Sequence, residues 1–138
     1  MGKSRLAFGT AILAILVGAG SFFGGVAGAV YTYNEAAQQN ITVTDDASWN
    51  AGDAVTGPLD MLAQADVIEH HQLDRTDGKF YAEMDREDPA RASWLTATTL
   101  TNALSLGVLA YGLAALAATF GLVIGLSGVV LFRSNRAV

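Results

Sequence analysis

The sequence predicts an all-α membrane protein, a two-span transmembrane helical hairpin with a small, mainly helical extracytoplasmic cap. The first observation behind this prediction is the segregation of apolar residues. Residues 6–30 and 103–132 form uncharged runs of 25 and 30 residues, and about 18 consecutive apolar residues are enough to indicate a membrane span. The second observation is that all 13 acidic residues lie between the two runs. Two spans around one polar segment therefore define the fold class.

The overall composition excludes several classes of protein. The chain has 138 residues, at most one small domain, and 51% of them are apolar while only 15% are charged, compared with about 25% in soluble domains. The 72 residues between the runs include long polar stretches, which excludes a soluble enzyme with its own large core. The absence of cysteine excludes a disulfide framework and anchoring by an acylated cysteine.

The positions of the basic residues predict the orientation in the membrane. Lysine and arginine near the ends of spans favour the cytoplasm. The termini, residues 1–5 and 133–138, carry four of them: Lys3, Arg5, Arg133 and Arg136. Residues 31–102 carry four basic and 13 acidic residues, a net charge of −9. We therefore predict a multi-pass protein of the bacterial plasma membrane, with both termini cytoplasmic and residues 31–102 extracytoplasmic. This negative charge argues against a nucleic-acid partner.

The first run has some features of a cleavable signal peptide. Ala27-Gly28-Ala29 has the small-residue spacing of a cleavage site, and basic residues precede the run. The uncharged stretch before Ala27 is already 21 residues long, whereas the apolar region of a signal peptide usually has about 7–15. We expect the segment to be retained as a span. Cleavage after Ala29 would leave one span and an outer N-terminus.

Both spans are predicted to continue as helices beyond the bilayer. Tyr31 and Tyr33 stand where an interfacial aromatic belt is expected, and good helix formers then extend the first helix to about Asn40. Asp88 is a favourable N-cap and Pro89 a favourable first residue for the second helix. That helix is predicted to run to Phe132, with its first turns outside the membrane.

The segment between the long helices is predicted to contain one short helix. Residues 41–44 alternate and are β-branched, so they can form a short strand. The turn signal Gly57-Pro58 begins a helix that reaches about His71, with Leu59, Leu62, Ala63 and Val67 on one face. Asp77-Gly78 then forms a turn. So little regular structure cannot bury much surface alone, and we expect it to pack on the outer ends of the long helices.

Glycines at intervals of four residues indicate where the helices pack. The first span contains Gly20, Gly24 and Gly28, and the second contains Gly121 and Gly125. Such spacing produces a flat stripe that allows two helix backbones to approach closely. The alternative is the ordinary glycine enrichment of membrane helices. The pattern does not determine whether the partner helix belongs to the same chain.

The sequence offers few groups for chemistry. His70 and His71 are the only histidines, and adjacent helical residues point about 100° apart, so they share one ion poorly. A closed zinc site needs about four ligands, of which His70, His71 and Asp74 are the candidates. We predict no bound metal, no cofactor, no cofactor-binding residues and no catalytic residues. Neither span contains an aspartate, glutamate, lysine, arginine or histidine, which argues against a transport role for this chain alone.

The order of several short motifs resembles one family. The motifs lie at residues 41–47, 51–53, 57–58, 63–66, 78–79, 81–83 and 88–89. In their order the chain resembles a group of small actinobacterial two-span membrane proteins. Members of this group are often labelled automatically as aromatic ring-opening dioxygenases. The resemblance implies the two-span fold and assigns no role to any residue. Ring-opening oxygenases hold iron with two histidines and a carboxylate, and two adjacent histidines do not supply that face.

These observations favour a non-enzymatic function. We predict a small integral membrane protein that contacts the lipid bilayer and acts as an accessory or structural subunit. Its partners are a larger membrane complex or copies of itself, with the cap as an outer contact surface. The alternative is an extracytoplasmic binding or sensing module for a cation, a lipid headgroup or an envelope component.

Overall fold

The computed structural model describes residues 2–136, with side chains from Arg5 onward, and within this range it is all-helical and contains no strand. It has three α-helices and one turn of 3₁₀ helix: α1 (Gly2–Gln38), α2 (Pro58–Arg75), the 3₁₀ turn (Tyr81–Glu83) and α3 (Ala90–Arg136). The chain divides into two compact units. The first contains residues up to Tyr31 and from Tyr111, and the second is Thr32–Ala110.

The structure confirms the two long apolar helices expected from the sequence. α1 has 37 residues and α3 has 47. At about 1.5 Å per residue, they reach about 55 and 70 Å, more than the roughly 30 Å of a hydrocarbon core. Both are long and apolar enough to cross a membrane. As predicted, no break interrupts either helix where the uncharged run ends.

In the first unit, α1 and α3 run antiparallel and meet through small residues. The buried positions are spaced by seven in both helices: Ala11, Gly18 and Gly25 in α1, and Ala114, Gly121 and Gly128 in α3. A repeat of seven is typical of the left-handed crossing of coiled coils. The Oγ of Ser21 also donates a hydrogen bond to the carbonyl oxygen of Ala117 at 3.0 Å, which joins the two helices through polar atoms.

The second unit has its own small core. Val43 and Val55 come from the loop before α2, Met61 and Val67 from α2, and Trp94 from α3, and all are buried. The expected strand at residues 41–44 is wrong, because the structure has only a single antiparallel bridge between Thr42 and Ala54. Three backbone hydrogen bonds join residues 41–43 to residues 52–55 beside this bridge, and burial of Val43 and Val55 also holds the loop in place.

Local signals determine where α2 begins and ends. Pro58 starts the helix, and the carboxylate of Asp60 accepts hydrogen bonds from the backbone N–H of Gly57 at 3.0 Å and from the Asn50 side chain at 2.8 Å. Asp77 and Gly78 have φ angles of 51° and 77°, a left-handed turn typical of helix ends. The expected end at about His71 is one turn short, because the helix continues to Arg75.

The start of α3 organises the segment that precedes it. The carboxylate of Asp88 accepts a hydrogen bond from the backbone N–H of Ala90 at 2.9 Å, as expected for an N-cap. One turn later, Arg91 donates to the carbonyl oxygens of Met84 at 2.8 Å and Tyr81 at 3.2 Å. Its guanidinium also lies 3.9 Å from the centre of the Tyr81 ring. Arg91 therefore holds the 3₁₀ turn against α3.

Candidate functional site

The residues considered for a metal do not converge. Nε2 of His70 lies 3.7 Å from the Asp74 carboxylate, one turn along α2, and both side chains are exposed. His71 instead contacts Asp46 in the loop, with Nε2 and Oδ2 2.5 Å apart. The two histidines thus have different partners. No cluster of three or more potential ligands occurs among the described residues.

The contact between His71 and Asp46 ties the loop to α2. The hydrogen bond from His71 lowers the pKa of the Asp46 carboxyl below its ordinary value, and a hydrogen bond from the Thr44 side chain acts in the same direction. Both bonds favour the charged carboxylate. The backbone N–H of Thr44 also donates to the side-chain oxygen of Gln64 on α2 at 3.3 Å. Polar contacts therefore fix the loop along about two turns of α2.

The glycines predicted to pack fall into two groups. Gly121 lies in the contact between α1 and α3, and a Cβ built on it would come within 2.6 Å of the carbonyl oxygen of Gly18. A Cβ built on Gly125 would lie 3.7 Å from the Cα of Gly18, and one on Gly28 would lie 3.8 Å from the Cβ of Ala114, both ordinary contact distances. Gly20 and Gly24 are exposed, and a Cβ on either would meet nothing within 4 Å in the described structure. We call these two the exposed glycine face.

Sequence reasoning missed the glycines of α1 that the hairpin uses. A Cβ on Gly18 would approach the carbonyl oxygen of Gly121 to 2.7 Å, and one on Gly25 would approach that of Ala114 to 2.5 Å. On α3, Gly128 is equally close to Ala11 and Ile15. Gly18 and Gly25, like Gly121 and Gly128, are seven residues apart. This interval, and not the interval of four, was the signal in the sequence.

The second unit contains an apolar pocket of about 470 Å³. Its walls are the end of α1 (32–36), Gln39, Ile41 and Val55 of the loop, α2 (61–68) and α3 (100–107). Most of the lining is aliphatic. The backbone N–H of Val55 donates a hydrogen bond to the carbonyl oxygen of Ile41 at 2.8 Å, which joins the two parts of the loop that line the pocket. The volume lies in the range of about 300–1,000 Å³ found for small-molecule sites.

The polar groups of the apolar pocket are few. Thr32 and Glu35 come from α1, Gln39 from the turn that follows it, and Gln64 from α2. Glu35 is the only charged lining residue, and among the described residues it makes no ion pair. The pocket therefore combines an apolar interior with one negative charge, a feature that no sequence motif indicated.

Basic side chains lie near both ends of the described chain. Arg5 lies in the first turns of α1, and Arg133 and Arg136 lie in the last turns of α3, all with exposed side chains. The guanidinium of Arg136 lies 4.6 Å from the centre of the Phe132 ring. The Lys3 side chain lies outside the described residues. The basic groups thus flank the apolar part of each helix.

Comparison with protein-family models, with curated proteins and with solved structures finds no match to this chain. The features of the described structure that bear on function are the exposed glycine face, the apolar pocket and the distribution of charge.

Proposed function

We propose that this chain is a non-catalytic integral membrane protein that crosses the bacterial plasma membrane twice and packs, through the exposed glycine face of α1, against a larger membrane complex or copies of itself. The observation that carries the proposal is that Gly20 and Gly24 are four residues apart and unused by the hairpin. Glycines at this interval let another backbone approach closely.

The exposed side chains of both long helices support a bilayer environment. In the most apolar window of each helix, only 11% of the residues are buried, whereas the core helix of a soluble protein is mostly buried. Leu16, Phe23, Leu106 and Phe120 are each more than 60% exposed. So much outward apolar surface is unfavourable in water and suited to lipid.

The charge distribution supports a topology with both termini inside. Basic side chains occur at both chain ends, and the 13 acidic residues lie in the second unit. By the positive-inside tendency, residues 31–102 lie outside the cell as an extracytoplasmic cap. This cap would be the outer contact surface.

The test is a bulky substitution on the exposed glycine face. Gly24→Leu is expected to abolish the association, because its side chain separates the two backbones. Gly112→Leu is the matched control, since Gly112 is an exposed glycine of α3 that also meets nothing within 4 Å among the described residues. Native gels and mass spectrometry of material co-purified in mild detergent would measure size and composition. An unchanged assembly in Gly24→Leu would refute the proposal.

A further inference from the structure

We propose that the apolar pocket of the second unit binds a single-chain amphiphile whose head is a cationic amine. The hydrocarbon chain lies along the aliphatic walls, and the ammonium group lies beside the carboxylate of Glu35. This activity goes beyond a packing function, because it needs neither another protein nor the exposed glycine face.

The shape of the pocket favours a linear apolar ligand. One wall runs from Thr32 on α1 to Gln39 in the turn after it, and another wall runs from Gly107 to Leu100 on α3. Seven steps along α3 correspond to about 10 Å. Met61, Ile68 and Leu104 supply the aliphatic surface between these ends, and burial of a hydrocarbon chain there is favourable by about 25 cal/mol per Å².

The charge of the pocket selects the head group. Glu35 is its only charged lining residue. The four basic residues of the second unit, Arg75, Lys79, Arg86 and Arg91, do not line it. The second unit carries a net charge of −9, so its field attracts cations and repels anions. An amphiphile with a sulfate or carboxylate head would bring a second negative charge next to Glu35.

Groups around Glu35 complete the site for an ammonium ion. An ammonium donates up to three hydrogen bonds, and the side-chain oxygen of Gln39, in the turn that follows α1, is a further acceptor among the lining residues. The loop residues Ile41 and Val55 border this polar end. Glu35 and Gln39 thus offer acceptors, while most of the remaining lining is aliphatic.

The experiment uses the full chain in nanodiscs of phosphatidylcholine. A dodecylammonium probe with a terminal diazirine is photolysed in the presence of increasing unlabelled dodecylammonium, and mass spectrometry locates the adducts. Displacement of the same probe by unlabelled dodecyl sulfate tests charge selection. Glu35→Gln removes the charge of the pocket. Glu69→Gln is the matched control, because it removes one exposed carboxylate of α2 outside the pocket. Ala103→Phe fills the pocket, and Ala92→Phe adds the same bulk at an exposed position of α3 outside it.

We expect adducts on residues 61–68 and 100–107, displaced by dodecylammonium at lower concentration than by dodecyl sulfate. Because Glu35 is exposed, Glu35→Gln should weaken displacement about threefold, the range for an exposed ion pair, and Ala103→Phe should remove the adducts. Glu69→Gln and Ala92→Phe should behave as the wild type.

Three outcomes would each overturn the proposal. They are adducts spread evenly over α1 and α3, equal displacement by both head groups, and equal effects of Glu35→Gln and Glu69→Gln. Circular dichroism of every variant verifies the helical fold.

Discussion

Gly18 and Gly121 face each other so closely that a methyl group on either would overlap the backbone of the opposite helix. The distances from a built Cβ are 2.7 Å to the carbonyl oxygen of Gly121 and 2.6 Å to that of Gly18. Gly25 approaches Ala114 and Gly128 approaches Ala11 in the same way. Each step of seven along α1 therefore matches a step of seven back along α3, which fixes the register of the hairpin.

Neighbouring glycines in α1 should respond oppositely to the same substitution. Gly25→Ala should destabilise the hairpin by about 1–3 kcal/mol, the usual result of overpacking, because the helices must separate. Gly24→Ala adds the methyl group in open space and should leave the stability equal or up to about 1 kcal/mol higher through helix propensity. Unfolding of the monomer by denaturant in mixed micelles measures both. Equal stabilities would contradict the register.

Arg91 should be required for the order of the preceding segment. Arg91→Lys removes the planar group that contacts two carbonyl oxygens and the Tyr81 ring, and lysine does not reproduce that geometry. We expect hydrogen exchange at residues 80–88 to increase about tenfold, for a loss of about 1.4 kcal/mol. Arg86→Lys is the control, since Arg86 is exposed. Similar exchange in both variants would show that Arg91 does not hold the turn.

The contact between Asp46 and His71 should be lost in acid. Because the pKa of Asp46 is lowered in the folded chain, mainly by the hydrogen bond from His71, the carboxylate stabilises the folded loop above its ordinary pKa of about 3.9. That contribution disappears as the pH falls through the lowered pKa. Nuclear magnetic resonance titration of the Asp46 carboxyl should give a higher pKa in His71→Phe than in the wild type. His70→Phe, which leaves this contact intact, should titrate as the wild type does, and identical titrations in all three would rule the contact out.

The proposed topology can be tested by labelling. Since the chain contains no cysteine, one introduced cysteine is the only reactive thiol. Ser48→Cys and Ser134→Cys both place it at exposed positions. A membrane-impermeant maleimide should modify Ser48→Cys in intact cells and Ser134→Cys only after the cells are made permeable. The reverse pattern would place the acidic segment inside, against the positive-inside argument.

The helices could be predicted because their determinants are local in the chain. The two uncharged runs fix α1 and α3 by length and hydropathy, Asp88 and Pro58 fix helix starts through capping geometry, and Gly78 ends α2 through its left-handed backbone. Each of these signals determines the backbone conformation of residues close to it in the chain. The strand expected at residues 41–44 failed because a strand depends on a partner, and the loop supplies only one bridged pair, Thr42 and Ala54.

Three features were decided only by the tertiary structure. Glycines occur on several faces of α1, and the position of α3 determines that Gly18 and Gly25 are buried while Gly20 and Gly24 remain exposed. His71 meets Asp46 across 25 residues, and the apolar pocket collects residues from 32 to 107. The sequence by itself determined helices, caps and charge, because these depend on neighbours in the chain. Contacts between distant segments depend on how the helices pack in three dimensions, and short-range patterns do not encode that arrangement.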